Sequence, residues 1–193
     1  MKYVSLLLVL LFLSCNGNKP PKQSVKEITL RKFLSKFKVC KLPLTIPPYN
    51  NMDDTLNGFY TMPEDTIDLR EEDRPGHFES AKPYGLLPDT FNCFHVLWFY
   101  PNDNPEPILT TYSKTGEKIS EEDLTVGNCH ASDGPCDWCN VSVIIRQDYT
   151  VYCSDTLNEG DCNNSSISVI YKTGSIPHSG KPHFTKEEEK KVQ

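Results

Sequence analysis

The cysteines are the residues of this sequence that offer the most chemistry. The chain contains eight, and seven of them follow Cys15: Cys40, Cys93, Cys129, Cys136, Cys139, Cys153 and Cys162. In a chain exported to an oxidising compartment, such cysteines are expected to form disulfides. An odd number leaves one thiol over, and the sequence alone does not select the connectivity. We expect local pairs: Cys153 with Cys162, Cys129 with Cys136 or Cys139, and Cys40 with Cys93.

The densest cluster places Cys129 and His130 shortly before Cys136 and Cys139. A Cys-x-x-Cys redox pair needs its first cysteine at a helix N-terminus, where the dipole lowers the thiol pKa. Here strand-like residues follow the motif, so the sequence disfavours this reading. A zinc site is disfavoured because the adjacent Cys129 and His130 rarely both reach one tetrahedral ion. Structural disulfides are the preferred interpretation, and a thiol- or zinc-dependent enzyme at this loop is the alternative.

No other catalytic constellation stands out. The histidines are scattered, and the sequence has no nucleophile elbow, no HExxH motif and no glycine-rich phosphate loop. His95 lies in a strand-like run and is predicted to be a packed or surface residue rather than a base. The aromatic residues of this region could stack on a sugar, although core packing is the commoner fate of such a run: Phe94, Trp98, Phe99, Tyr100 and Trp138. We therefore assign no catalytic residue, cofactor or metal ligand.

The charge of the chain excludes some partners. Its formal net charge is −6, with a sequence pI of about 5.4. Nucleic-acid binding and a polybasic membrane patch both need clustered Lys and Arg. Neither is expected, so any membrane attachment has to come from lipid.

The N-terminus carries an export signal. After Lys2, residues 4–13 form an almost unbroken apolar run, too short for a permanent span of about 20 residues but suited to a secretory signal. The residues Phe12-Leu13-Ser14-Cys15 resemble a bacterial lipoprotein signal, although that pattern prefers Leu where Phe12 stands. The resemblance implies a signal peptide at 1–14 that is cut before Cys15, whose thiol then carries diacylglycerol. The alternative is an ordinary cleaved signal with Cys15 as a bystander.

Residues 15–24 are polar, contain two prolines and a glycine, and predict a flexible tether. In lipoproteins of this type an acidic residue after the cysteine favours retention at the inner membrane, and an acidic run favours the cell surface. Asn16 and the basic tether show neither. The resemblance therefore implies the outer membrane, facing the periplasm.

The remaining chain predicts an α+β fold in a single domain over 25–185. Apolar residues at steps of three and four over 25–39 predict an amphipathic helix, and the proline-rich stretch 42–88 predicts irregular chain. The C-terminal half predicts an antiparallel β meander with strands at 93–100, 108–112, 118–126, 141–146, 149–154 and 167–172. The helix is the available cover for one face of this sheet. Residues 186–193 predict a charged tail that frays.

Several of these segments together resemble uncharacterised envelope lipoproteins of the Bacteroidetes type. The likeness lies in Phe33 and Phe37 followed by Leu42-Pro43-Leu44, and in the hairpin-like stretches 111–119, 145–151 and 169–174. Three Asp-Thr-aliphatic triplets also resemble the O-glycosylation acceptor of that group, with acceptors at Thr55, Thr66 and Thr156. A plain turn or cap is the alternative for each triplet. The sequence as a whole predicts a membrane-anchored, noncatalytic binding or structural module with an unknown protein or glycan partner.

Overall fold

A computed structural model describes residues 24–35, 37–46, 74, 76, 81–88, 91–100, 106–127, 138–161, 164–178 and 180–192. Within these ranges the protein has one helix, α1 at Val25–Leu34. The strands of the first half are β1 Leu44–Ile46, β2 Lys82–Leu86, β3 Cys93–Tyr100, β4 Glu106–Ser113 and β5 Lys118–Asp123. The later strands are β6 Trp138–Ile145, β7 Thr150–Asp161, β8 Asn164–Ser175, β9 His183–Phe184 and β10 Glu188–Val192. The predicted combination of antiparallel sheet and an N-terminal helix is confirmed.

The strands form two sheets rather than the single meander that the sequence predicts. Sheet A has the order β2-β3-β4-β5, and every neighbour is antiparallel. Sheet B has the order β1-β6-β7-β8-β10, again antiparallel, with β9 also paired to β8. The strands β2 to β5 and β6 to β8 pair with their sequence neighbours through short connections, whereas β1 pairs with the distant β6. The chain passes from sheet B to sheet A between β1 and β2, and returns to sheet B between β5 and β6.

The two sheets share one apolar core. Side chains from β3 and β4 of sheet A and from β6 and β7 of sheet B belong to a single buried cluster that includes Leu97, Phe99, Leu109, Val143, Ile145, Val151 and Cys153. A second cluster lies on the opposite face of sheet A, where Leu30, Phe33, Leu34 and Phe37 meet Phe94, Val96 and Tyr112. Strand β3 is therefore buried on both faces, which explains why its sequence is apolar without alternation.

Local interactions fix the ends of these elements. The Ser24 side chain accepts a hydrogen bond of 3.1 Å from the backbone N–H of Glu27, which caps the first turn of α1. In the β6–β7 turn, Asp148 Oδ1 accepts hydrogen bonds from both the backbone N–H and the hydroxyl of Thr150. Tyr149 adopts a φ of 64° in this turn. This is the left-handed conformation that glycine usually supplies in a tight hairpin, but here the residue is a tyrosine.

Three boundaries differ from the sequence prediction. Helix α1 ends at Leu34, and Val39, predicted to be helical, instead bridges to Leu86 beside β2. Strand β7 continues through Asp161, seven residues beyond the end predicted at 154. Residues Glu188–Val192 pair with β8 as β10 rather than fraying, because an antiparallel edge strand satisfies its backbone on one side and keeps its charges in water.

Candidate functional site

A cysteine and a histidine meet in the core near the start of β3. Cys93 and His95 lie two residues apart, so they project from the same face of the strand, toward sheet B. Each side chain is only 1% exposed. Strand β4 places Thr111 directly opposite His95. A nucleophile, a base and a hydroxyl that could orient the base are thus brought together, which is the minimal composition of a thiol-dependent catalytic site.

The hydrogen bonds around His95 define its protonation. Its Nδ1 lies 3.1 Å from the Thr111 hydroxyl, and its Nε2 lies 3.0 Å from the backbone carbonyl of Pro177. A carbonyl oxygen only accepts, so Nε2 must carry the ring proton and donate it to Pro177. In neutral imidazole Nδ1 then accepts from the Thr111 hydroxyl. This assignment follows from the network of donors and acceptors around the ring.

Cys93 completes the same network. Its sulfur lies 3.2 Å from His95 Nε2 and donates to the carbonyl of His178 at 3.3 Å. Since Nε2 already carries a proton, it has no lone pair with which to take the thiol proton. In this arrangement His95 is not placed to act as a base toward the Cys93 thiol.

The segment that supplies both carbonyls, residues 176–178, covers the pair; we call it the covering segment. It begins at Ile176, which is buried and whose N–H donates to the carbonyl of Tyr149 at 3.0 Å. The Tyr149 ring packs edge to face on His178, with centroids 5.3 Å apart, and its hydroxyl donates to the Pro88 carbonyl. The covering segment is therefore connected to the turns of both sheets.

Three of the predicted disulfide cysteines carry free thiols, which corrects two expected pairings. Cys40, Cys93 and Cys153 are unbonded. Eight residues of extended chain, about 26 Å at the usual rise per residue, separate Cys153 from Asp161 at the end of β7. A disulfide between Cys153 and the neighbouring Cys162 is therefore wrong. The Cys40–Cys93 pair is also wrong, because both thiols are free: the Cys40 sulfur lies against Gly85 of β2, and the Cys93 sulfur lies against the carbonyl of His178.

Burial changes the chemistry of two of these thiols. Loss of solvent raises the pKa of Cys40 to about 11 and that of Cys153 to about 12. Lys172 partly opposes the shift at Cys153. At neutral pH these side chains remain protonated and pack as small apolar groups.

The cysteine-rich loop is described only at its end. Cys139 lies on β6 and is disulfide-bonded. Cys129, Cys136 and Cys162 lie outside the described residues, as does the lipidation residue Cys15. Among the residues that the structure does describe, no group of three or more His, Cys, Asp or Glu side chains could hold a metal ion.

Of the three predicted glycosylation residues, Thr55 and Thr66 lie outside the described ranges. Thr156 lies in the middle of β7, half-buried, opposite Asn140 and Val169. It is on the outer face of sheet B rather than in a loop.

Asp155, next to Thr156, is a buried acid that sequence reasoning did not single out. It is 0% exposed, and within the described part of the chain neither carboxylate oxygen makes a hydrogen bond of normal distance and angle, although the backbone of Asn140 lies near it. Desolvation raises its pKa, partly opposed by the backbone of Asn140. Gly127 approaches so closely, at a φ of +65°, that a Cβ there would lie 2.9 Å from the carboxylate. The site is thus too tightly packed to admit another residue at 127.

The aromatic residues considered for sugar stacking are mostly core residues. Phe94, Trp98 and Phe99 are at most 6% exposed, and the Trp98 indole N–H donates to Thr110 at 2.6 Å. Core packing is confirmed for these three. Trp138 is the exception, since 45% of it is exposed at the start of β6.

The sequence predicts only part of the arrangement around Cys93 and His95. A Cys-x-His spacing in a strand puts both side chains on one face, and that signal was present. The covering segment lies more than 80 residues later, and no local pattern connects it to β3.

No family model, curated protein or solved structure matches this chain. In the described ranges, no helix reaches the length and apolarity that crossing a membrane requires.

Proposed function

We propose that this protein is an exported lipoprotein, held to the outer membrane by lipid on Cys15, whose folded domain is a noncatalytic binding or structural module. The domain would face the periplasm and meet a protein or glycan partner. The anchor is supported by the apolar run before Cys15 and by the small residue Ser14 beside it. Lipid on a single cysteine is a sufficient anchor when it carries more than one acyl chain.

One observation carries the noncatalytic part of the proposal. The thiol and imidazole of the candidate site, Cys93 and His95, already direct their protons to two backbone carbonyls. Both side chains are inaccessible. A catalytic thiol is expected to be partly exposed and to have a base with a free lone pair.

We also infer that α1 is an amphipathic helix that belongs to this domain as the cover of sheet A. Its support is the shared cluster in which Phe33 lies edge to face on Tyr112, with ring centroids 6.3 Å apart. A helix that served only as a membrane anchor would have no reason to place these rings in the domain core.

The anchor is tested by comparing the wild-type chain with Cys15→Ser after expression in a Gram-negative host. The wild-type protein should partition into the detergent phase of a Triton X-114 extract and have a mass above that of its polypeptide. The variant should move to the aqueous phase. A variant that stays in the detergent phase would contradict lipid attachment at Cys15.

The absence of catalysis is tested with iodoacetamide at pH 8, followed by mass spectrometry. Cys93 and Cys153 should remain unmodified in the native protein and react only after urea is added. Rapid stoichiometric modification of Cys93 in the native state would contradict the proposal. The alternative, an enzyme at the Cys129–Cys139 loop, requires instead a fast-reacting thiol in that loop or bound zinc in elemental analysis.

A further inference from the structure

We infer that strand β10 pairs in the antiparallel sense with β10 of a second copy of this chain, so that sheet B continues across a two-fold axis at Glu189. The inference goes beyond the proposed function and does not depend on the lipid anchor. It starts from the position of β10 at the edge of sheet B, where β8 pairs with one side of the strand and no described strand lies on the other. Such an edge presents backbone N–H and C=O groups that another strand can bind.

The side chains of β10 are also uncovered. All five residues of the strand are exposed. Among the described residues, Glu189, Lys190 and Lys191 have no ion-pair partner. Glu188 accepts a hydrogen bond of 2.6 Å from the Tyr171 hydroxyl, which holds its carboxylate on the outer face of the sheet. Charged side chains on an edge strand usually prevent pairing with another strand, so the order of the charges decides whether β10 can pair.

Symmetry limits which residues of the two strands can oppose each other. A two-fold axis perpendicular to a sheet keeps each face of the sheet on its own side, so a residue opposes only residues of its own face. Lys190 pairs with Val169 and so lies on the outer face, and Glu188 lies two residues away on that face. Glu189 and Lys191 lie on the other face. The axis must therefore pass through a residue that opposes its own copy.

The charges select Glu189 as the residue on the axis. Each Glu188 then opposes Lys190 of the second copy, which gives two pairs of opposite charge on the outer face. Opposite charges directly across two strands stabilise their pairing, and like charges destabilise it. The one like pair is Glu189 with its own copy.

The same register also matches charges on the other face. Lys191 opposes Glu187 of the second copy, which directly precedes β10. The Oε2 of Glu187 lies 3.5 Å from the Gly127 backbone N–H, and its other oxygen is left for the lysine. An axis at Lys190 would match only Glu189 with Lys191 and would oppose Lys190 to itself. A parallel, in-register pair would place every Glu and every Lys beside its own copy, so the charges favour the antiparallel dimer.

The contact between the two copies is small. A single pair of short strands buries less than the roughly 1,200 Å² of surface at which stable protein complexes begin. The dimer should therefore form reversibly in concentrated solution and dissociate on dilution, where the monomer is the species present.

Cysteine cross-linking tests this register in the full chain. In Glu189→Cys the two new thiols oppose each other with Cα atoms about 5 Å apart, within reach of a disulfide. Lys191→Cys is the matched control on the same face of the same strand, and its two Cα atoms lie about 14 Å apart along the strands. With copper phenanthroline as oxidant, Glu189→Cys should form a dimer on a non-reducing gel at least about ten-fold faster than Lys191→Cys. The wild-type chain gives the background from its own cysteines.

A charge exchange tests the pair between Glu188 and Lys190. Lys190→Glu, added to Glu189→Cys, opposes glutamates on the outer face and should slow cross-linking about ten-fold. Adding Glu188→Lys to that variant restores opposite charges in reversed order. The rate should then return to within about two-fold of that of Glu189→Cys.

Several outcomes would overturn the inference. Equal rates for Glu189→Cys and Lys191→Cys would mean that the copies meet only at random. Failure of the charge exchange to restore cross-linking would refute the proposed register. If Glu189→Cys joins a different envelope protein in cell extracts but not its own copy, the edge binds another chain and the inference is wrong. None of these results bears on the anchor, which the partition of Cys15→Ser tests separately.

Discussion

Among single residues, Asp155 has the clearest expected effect on stability. Its pKa is raised by desolvation, so the folded protein retains this proton at pH values where the unfolded chain, with a pKa of about 3.9, has released it. The stabilisation is complete below the unfolded pKa and is lost as the pH rises through the folded pKa. Asp155→Asn removes the ionisable group, so the variant does not lose stability as the pH rises. At pH 7 its free energy of unfolding should exceed that of wild type by about 1 kcal/mol, measured by urea denaturation.

Asp148 is a control whose pKa is shifted in the opposite direction. The hydrogen bonds from Thr150 lower its pKa, so its contribution is present at neutral pH and is lost on acidification through the folded pKa. Asp148→Asn should therefore lower stability at pH 7 and have less effect near pH 3. If Asp155→Asn gives the same stability change at pH 4 as at pH 7, the assignment of Asp155 as the group that loses its proton is wrong.

The His95 network predicts a second residue effect. Thr111→Val keeps the shape of the side chain but leaves the His95 Nδ1 facing a methyl group instead of a hydroxyl at 3.1 Å. Loss of a buried hydrogen bond of this kind typically costs about 1–3 kcal/mol. The urea midpoint should fall accordingly. Thr45→Val, at an exposed position of β1, is the control and should leave the midpoint within error, whereas an equal loss in both variants would contradict a special role for Thr111.

The residues of the candidate site were predicted only in part. Because side chains alternate along a strand, Cys93 and His95 are predicted to lie on one face of β3. The surrounding residues are apolar on both faces, so the sequence does not show what that face contacts. The sequence could not predict that Cys40, Cys93 and Cys153 are free. Disulfides are expected from the cellular compartment and from the number of cysteines, whereas the actual pairing depends on distances that the tertiary fold sets.

At the scale of elements, the β4–β5 turn lies close to the start of α1. Gly116 has a φ of +96°, and a Cβ there would press on the Lys26 carbonyl at 2.8 Å. Gly116→Ala should therefore lower the free energy of unfolding by about 2–3 kcal/mol, from backbone strain and displacement of the helix together. Chemical denaturation measures the total loss of stability. Near-UV circular dichroism reports the packing of Phe33 of α1 against Tyr112.

Gly180→Ala separates the two causes. Gly180 also has a positive φ, +109°, but nothing lies within 4 Å of a Cβ built there. In Gly180→Ala the free energy of unfolding should fall only by the cost of the backbone strain, about 1 kcal/mol. Equal losses for the two variants would mean that the turn does not hold the helix.

Individual elements were more predictable than their arrangement. The bounds of β3 match the apolar run at 93–100, and β4, β6 and β8 were each located within three residues at either end. These strands are bounded by turn residues that act locally. The division into two sheets was not predicted, because a strand buried on both faces has the same sequence signature whether a helix or a second sheet covers it.

At the scale of the whole molecule, the two sheets are connected by polar contacts as well as by the shared core. Lys172 of β8 reaches across to the end of β5, where its ammonium donates to the carbonyls of Asp123 at 2.9 Å and of Thr125 at 2.7 Å. The same ammonium lies over the Phe184 ring, with its Nζ 5.5 Å from the ring centre. One side chain thereby satisfies two carbonyls where the chain leaves sheet A.

Lys172→Met tests whether this contact holds the sheets together. Methionine keeps most of the apolar stem but removes the donors, so two carbonyls lose a partner and the free energy of unfolding should fall by about 2 kcal/mol. Lys190→Met on the exposed strand β10 is the control for loss of a surface charge and should change stability by less than about 0.5 kcal/mol. Hydrogen exchange should locate the effect: amides of both β5 and β8 should exchange faster in Lys172→Met. Faster exchange in β8 alone would show that the lysine stabilises its own strand and does not connect the two sheets.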